Sequence, residues 1–267
     1  MHLTALASAA RERGRWSRRR CGAAALAVAM ALAVPPAGAR SAPAVPGIVG
    51  SDDRVAQPQA SQWPWTAIGR INRASGGFCT GTLVAEGRVL TAAHCLWNRR
   101  SGAMLAPGRL HFLAGWWRGR YLAHATAARI VTDPALAFDR QGRPRSAVTD
   151  WAVLVLDPAS MRGDWPRPVP LAASAGLGPG TPLARAGYGR DRPHALSRQD
   201  GCHALGLAED GAILLHDCDA TFGDSGSPVL VQDGAGPAVA AVHVAFVEEH
   251  GITTGAAVLV TPAMAGP

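Results

Sequence analysis

Lysine is absent from the 267-residue chain, so all 26 of its basic residues are arginine. Together with the abundance of alanine and glycine, this reads as a bias of coding composition rather than as a site. Beyond the N-terminal region there is no uninterrupted apolar run of membrane-spanning length, which excludes a later membrane helix and predicts a soluble body. Long helical periodicities are also missing, because 31 glycines and 20 prolines interrupt the text every several residues. No internal repeat is visible. Cysteine is scarce, with five in all, and none of the spacings forms a C-x-x-C knuckle.

The first 39 residues read as an export signal. Arg11, Arg13, Arg15 and Arg18-Arg19-Arg20 precede an apolar stretch from Cys21 to Val34, and Ala37-Gly38-Ala39 supplies a small-x-small cleavage site. That stretch falls short of the roughly 20 residues needed to span a bilayer, so export with cleavage is favoured over an uncleaved signal anchor. Residues 40–47 then read as a short pro-segment. The whole-chain net charge of +7 hints at an acidic partner. Six of the arginines and Glu12 leave with the signal, however, and the remaining 20 arginines face 18 acidic residues, a net of +2. So small an excess gives no support for nucleic-acid binding.

Cys21 also leaves with the signal. Cys79, Cys95, Cys202 and Cys218 remain as an even set with three possible pairings, of which two local bridges, Cys79–Cys95 and Cys202–Cys218, are the simplest. His203 and His216 flank the second pair, so a zinc site of two Cys and two His is the alternative. The spacing and an exported location favour disulfides and no metal.

Short alternating apolar segments carry a strand signal and predict an all-β protein. One set covers Thr66–Ile71, Phe78–Leu83, Arg88–Thr91, Leu110–Ala114, Ala128–Val131 and Trp151–Leu156. The second covers Pro182–Tyr188, Gly201–Leu207, Ala212–His216, Pro228–Gln232, Ala238–Val247 and Gly255–Val260. The proline-rich residues 158–170 separate them, which predicts an N-terminal barrel over 48–157 and a C-terminal barrel over 171–267.

Three segments carry chemistry. Nucleophilic attack by a serine needs a base, a carboxylate to orient that base, and amide donors for the oxyanion. Ser225 lies in Phe222-Gly223-Asp224-Ser225-Gly226-Ser227-Pro228, where the N–H groups of Gly223 and Ser225 can converge on one point. His94 lies in Leu90-Thr91-Ala92-Ala93-His94-Cys95, and Asp150 opens Asp150-Trp151-Ala152-Val153-Leu154. Taken singly, each has a bland reading as a structural histidine, a turn aspartate or a loop serine. Their joint occurrence, in this order, is far more specific.

The segments Thr-Ala-Ala-His-Cys, Asp-x-Ala-Val-Leu and Gly-Asp-Ser-Gly-x-Pro resemble those of chymotrypsin-like serine proteases, and the resemblance runs from Ile48 to Pro262. It implies two six-stranded antiparallel β-barrels with the active site in the cleft between them. It also implies a catalytic triad of His94, Asp150 and Ser225, an oxyanion hole of Gly223 and Ser225, and an acyl-enzyme route needing no cofactor. A secreted or periplasmic monomer acting on protein or peptide substrates is expected, without a membrane role once the signal is removed.

Specificity and activation are read from the same resemblance. Asp219, six residues before Ser225, stands where trypsin-like enzymes hold a basic side chain. His243 and the His216–Asp219 run are similar instead to the bacterial glutamyl endopeptidase branch, in which a pocket histidine helps to hold glutamate. The family's glycine-bearing segment after the strand of His243 is replaced here by Val244-Ala245-Phe246-Val247, where a bulky Phe246 is expected to narrow the pocket, so basic, acidic and small neutral preferences all stay open. Asp224 is expected to pair with a new terminal amine at Ile48 after zymogen cleavage, although Gly47 is not the basic residue that usually precedes such a cut. Two other classes compete. An α/β-hydrolase is disfavoured because Ser227 replaces the last glycine of G-x-S-x-G and because His94 and Asp150 precede the serine. A catalytically silent binding relative is disfavoured by the complete triad.

Overall fold

A computed structural model describes residues 45–57, 62–172 and 176–266. The expected signal, most of the pro-segment and the final proline lie outside the described residues. In chain order the first eleven strands are β1 (Val55–Gln57), β2 (Ile68–Arg73), β3 (Phe78–Ala85), β4 (Arg88–Thr91), β5 (Trp97–Asn98), β6 (Ala103–Met104), β7 (Leu110–Ala114), β8 (Ala123–Thr132), β9 (Ala152–Leu156), β10 (Arg162–Gly163) and β11 (Pro182–Gly187). They are followed by β12 (Leu196–Ala208), β13 (Ile213–His216), β14 (Pro228–Gln232), β15 (Pro237–Glu249), β16 (Ile252–Leu259) and a single helical turn, α1 (Pro262–Ala265).

The strands close into two antiparallel barrels of six. In the first, the order β8-β7-β2-β3-β4-β9 is closed by pairing of β8 with β9, and β10 is added at the outside of β8. In the second, β12-β11-β14-β15-β16-β13 is closed by β12 with β13. Closure leaves neither barrel with the long open edges that invite aggregation. Both expected sets of six strands are present, with β8 and β12 extending well beyond the segments read from sequence. Their outer halves carry Thr126 or Arg198, Gln199 and Asp200, which hide the apolar alternation.

Two differences matter for the site. β1 pairs with β12, Val55 opposite Arg198, and so joins the second barrel although its sequence precedes the first. The tail after Val260 is not wholly extended, because α1 buries Met264 in the core. Within the first barrel, Ile68, Ile71, Val89, Leu90, Phe112 and Leu154 are almost entirely buried and fill the interior. Packing of this kind holds the strand ends, where the chemical groups sit, to a fixed geometry. Among the described residues no helix is long and apolar enough to cross a membrane.

Candidate active site

The first barrel contributes His94 from a short turn, Ala93–Leu96, that directly follows β4. The turn is pinned by the disulfide Cys79–Cys95, which ties it to β3. Asp150 stands just before β9, the neighbour of β4, so strand pairing alone brings the two side chains together. Asp150 Oδ1 accepts the backbone N–H of His94 at 2.8 Å, and Oδ2 lies 2.7 Å from His94 Nδ1. One carboxylate therefore fixes both the turn and the ring. With Nδ1 held as the donor, Nε2 is left free to act as a base.

The second barrel contributes residues 222–227, which precede β14. Thr80 N–H on β3 donates to the Ser225 carbonyl at 3.0 Å, and Gly226 N–H donates to the His243 carbonyl at 2.8 Å. The serine is thus gripped by both barrels. Gly226 has φ of +83°, and a side chain there would collide with the Thr80 carbonyl and Thr91. Gly223 has φ of +101°, and a Cβ would stand 2.7 Å from the Tyr188 carbonyl. Among the described residues neither the Gly223 nor the Ser225 N–H has a hydrogen-bond partner, as an oxyanion-binding pair requires. Gly223, Ser225, His94, His243 and Phe246 all line one cleft of about 870 Å³ between the barrels.

Asp219 is elsewhere. It is buried, but its Oδ1 accepts Val49 N–H at 2.7 Å and its Oδ2 accepts Asp53 N–H at 3.4 Å, while Gln199 Oε1 accepts its own N–H at 2.6 Å. Burial raises its pKa from the usual carboxylate value. Asp219 does not belong to the cleft lining in this uncut chain, and its carboxylate serves the Val49 and Asp53 amides. Beside Asp219, Ala220 N–H donates to the Gly47 carbonyl at 2.9 Å. Phe246 does stand at the cleft and meets Phe222 edge-on, with ring centres 5.5 Å apart. Together the two rings narrow its mouth.

His243 reaches the cleft with His216 packed behind it as a partner. His216 Nδ1 accepts the backbone N–H of Cys218 at 3.1 Å, and His216 Nε2 lies 3.2 Å from His243 Nδ1. Burial pushes His216 down to about 3, helped by Arg185, and burial also holds His243 well below the normal histidine range, with His216, Arg185 and His94 adding to the effect. Both rings are therefore neutral near pH 7. A neutral His216 that accepts at Nδ1 carries its proton on Nε2 and donates to His243, which in turn presents an Nε2 proton as a donor. The four expected cysteines form the bridges Cys79–Cys95 and Cys202–Cys218, which leaves no thiolate for zinc.

Asp224 is also paired differently from expectation. Its Oδ1 lies 3.1 Å from Arg185 Nη2, an ion-pair contact, and its Oδ2 lies 3.9 Å from Arg54 Nη1 and accepts Thr221 N–H at 2.8 Å. Ile48 N–H instead donates to the Val45 carbonyl. In this chain, uncut between Gly47 and Ile48, internal arginines supply the positive charge that faces Asp224. Arg54 is further held by Asp52 and Asp191, at 2.9 and 2.6 Å. Sequence reading missed both arginines. The available signal was Arg185 standing between Ala184 and Ala186 within a strand.

The trypsin family model matches residues 53–264. A glutamyl endopeptidase of Bacillus licheniformis is 36% identical over 70 residues, covering 24% of this chain and 22% of that protein. The match thus spans about a fifth of the relative's length. A solved structure titled "Structure of Glu endopeptidase in complex with MPD" superposes with a TM-score of 0.66 at 22% identity, covering 81% of this chain and 95% of the other, and shares the fold. The chain belongs to the trypsin family of chymotrypsin-like serine proteases.

Proposed function

We propose that this protein is a secreted serine endopeptidase that cleaves after acidic residues. The observation that carries the catalytic part is the double grip of Asp150 on His94, at the cleft that also holds Ser225. In this reading Ser225 Oγ attacks the scissile carbonyl while His94 Nε2 takes its proton and returns it to the leaving amine. Asp150 orients the ring and stabilises the imidazolium. The N–H groups of Gly223 and Ser225 receive the oxyanion, each worth about 3 kcal/mol. Water then attacks the acyl-enzyme and His94 acts as base a second time.

The substrate has an edge to bind. β14 stops opposite Val242, whereas β15 continues to Glu249, so the side of Val244–Phe246 toward the cleft carries no strand partner. An extended peptide can add there by backbone hydrogen bonds. The His243 Nε2 donor then meets the side chain of the residue before the scissile bond. A carboxylate fits this donor, and the Phe222–Phe246 pair disfavours long basic side chains. The names of the relatives, both glutamyl endopeptidases, agree with this choice. The expected export signal and two disulfides fit an oxidising location outside the cytoplasm.

A peptide library read by mass spectrometry, with S225A as control, tests both parts. Cleavage after Glu or Asp that disappears in S225A is the expected result. Cleavage after Arg overturns the acidic assignment, and the absence of both cleavage and phosphonylation of Ser225 by an activated phosphonate overturns the peptidase.

A further inference from the structure

Arginine dominates the cleft beyond the catalytic groups. Arg73, Arg99, Arg100 and Arg190 all line it, and the lining contains no Asp or Glu. Among the described residues none of these four is salt-bridged. Arg73 is the most telling. It ends β2, is half-buried, and its Nε is shielded from solvent without any hydrogen-bond partner. Its one hydrogen bond in the cleft is a long contact, 3.4 Å from Nη1 to the Cys95 carbonyl. Burial, with Arg190 and Arg99 adding repulsion, draws its pKa below the usual guanidinium value. Cationic groups with unused donors lining one cleft suit a negatively charged partner.

The side of the cleft follows from the chemistry. His94 must protonate the leaving amine, so the departing half of the peptide runs past His94 and the Cys79–Cys95 disulfide. Arg73 reaches the backbone carbonyl of Cys95, while Arg99 directly follows β5. Arg190 N–H is bonded to the Phe222 carbonyl at 2.7 Å, which places it beside the oxyanion loop. The acyl half has its own place at Val244–Phe246.

We propose that Arg73, Arg99 and Arg190 form a carboxylate-binding subsite that selects acidic residues within the first few positions after the cleaved bond. The inference rests on the peptidase reading for the direction of the substrate, but adds a second acidic determinant independent of His243. A peptide's own C-terminal carboxylate offers the same chemistry as an Asp or Glu side chain, so amidated peptides separate the two sources.

The test has two arms. In the first, binding of C-terminally amidated peptides to S225A is followed by fluorescence anisotropy, the leaving half carrying Asp-Asp or Ala-Ala. The acidic peptide is expected to bind at least about tenfold more tightly, as charge-assisted hydrogen bonds allow, with the advantage shrinking as salt rises. In the second, kcat/KM for the same pair is compared in wild type, R190Q, R73Q and R129Q. The acidic-to-neutral ratio should fall toward one in R190Q and R73Q and persist in R129Q, which alters an exposed residue on β8. R190Q keeps the test sound even if R73Q fails to fold. Equal binding of both amidated peptides overturns the subsite, as does a ratio unchanged in R190Q and a folded R73Q. An advantage restricted to free-acid peptides also overturns the side-chain assignment. Acid-selective binding by S225A without any cleavage by wild type sinks the peptidase reading and leaves the subsite standing.

Discussion

Arg185 and Asp224 face each other at 3.1 Å with side-chain exposures of 1% and 0%. A buried charge is tolerable only when its partner stays in place, and losing one partner of such a pair costs about 3–5 kcal/mol. R185M is therefore expected to lower unfolding stability in urea by roughly that amount, and to disorder the loop that carries Gly223. Wild-type stability in R185M would refute the assignment.

The same pair already gives Asp224 a cationic partner in the uncut chain. Protein beginning upstream of Ile48 is expected to match the activity of protein beginning at Ile48, when both are titrated by an active-site label. An inactive upstream form that gains activity on cutting at Gly47–Ile48 would restore the zymogen reading.

D150N should preserve the fold but lower kcat by about 10⁴-fold, because the amide cannot hold the required tautomer of His94. Circular dichroism and burst kinetics check the two halves of this prediction. A loss under tenfold would show that Asp150 does not orient the base.

The buried histidines predict an acid limit to stability. Burial lowers His216 from 6.5 to about 3 and lowers His243 in the same direction. Above about pH 6.5 both rings are neutral, folded or unfolded. As pH falls through 6.5 the unfolded chain binds protons that the folded chain refuses, so stability declines toward about pH 3. Urea midpoints between pH 7 and 4 should fall in wild type and fall less in H216Q. Equal slopes would exclude these rings as the cause.

D219N is expected to leave the ratio of cleavage after Glu to cleavage after Arg unchanged, since its carboxylate serves the Val49 and Asp53 amides. A large shift of that ratio, measured with paired peptides, would return Asp219 to substrate recognition.

The triad segments were legible because each couples a chemical residue to its own strand end, His94 after β4 and Asp150 before β9. The barrel strands were legible where apolar residues alternate. The surroundings of Asp219 were not legible, because its hydrogen-bond partners, Val49 and Asp53, come from a distant part of the chain. Arg54 and Arg185 escaped for a related reason. An arginine in a short strand reads as solvent-facing until folding brings Asp224 to it. The cleft arginines come from three separate loops or strand ends and form no motif in sequence.

β1 joins the second barrel, so the strand that leaves the ribosome before either barrel must wait for β12. Its long-range pairing gives the molecule a high contact order and a slow closing step. During synthesis His94 and Asp150 are made with the first barrel while Ser225 is still to come, so the cleft that His94 and Ser225 line together is complete only when the second barrel closes.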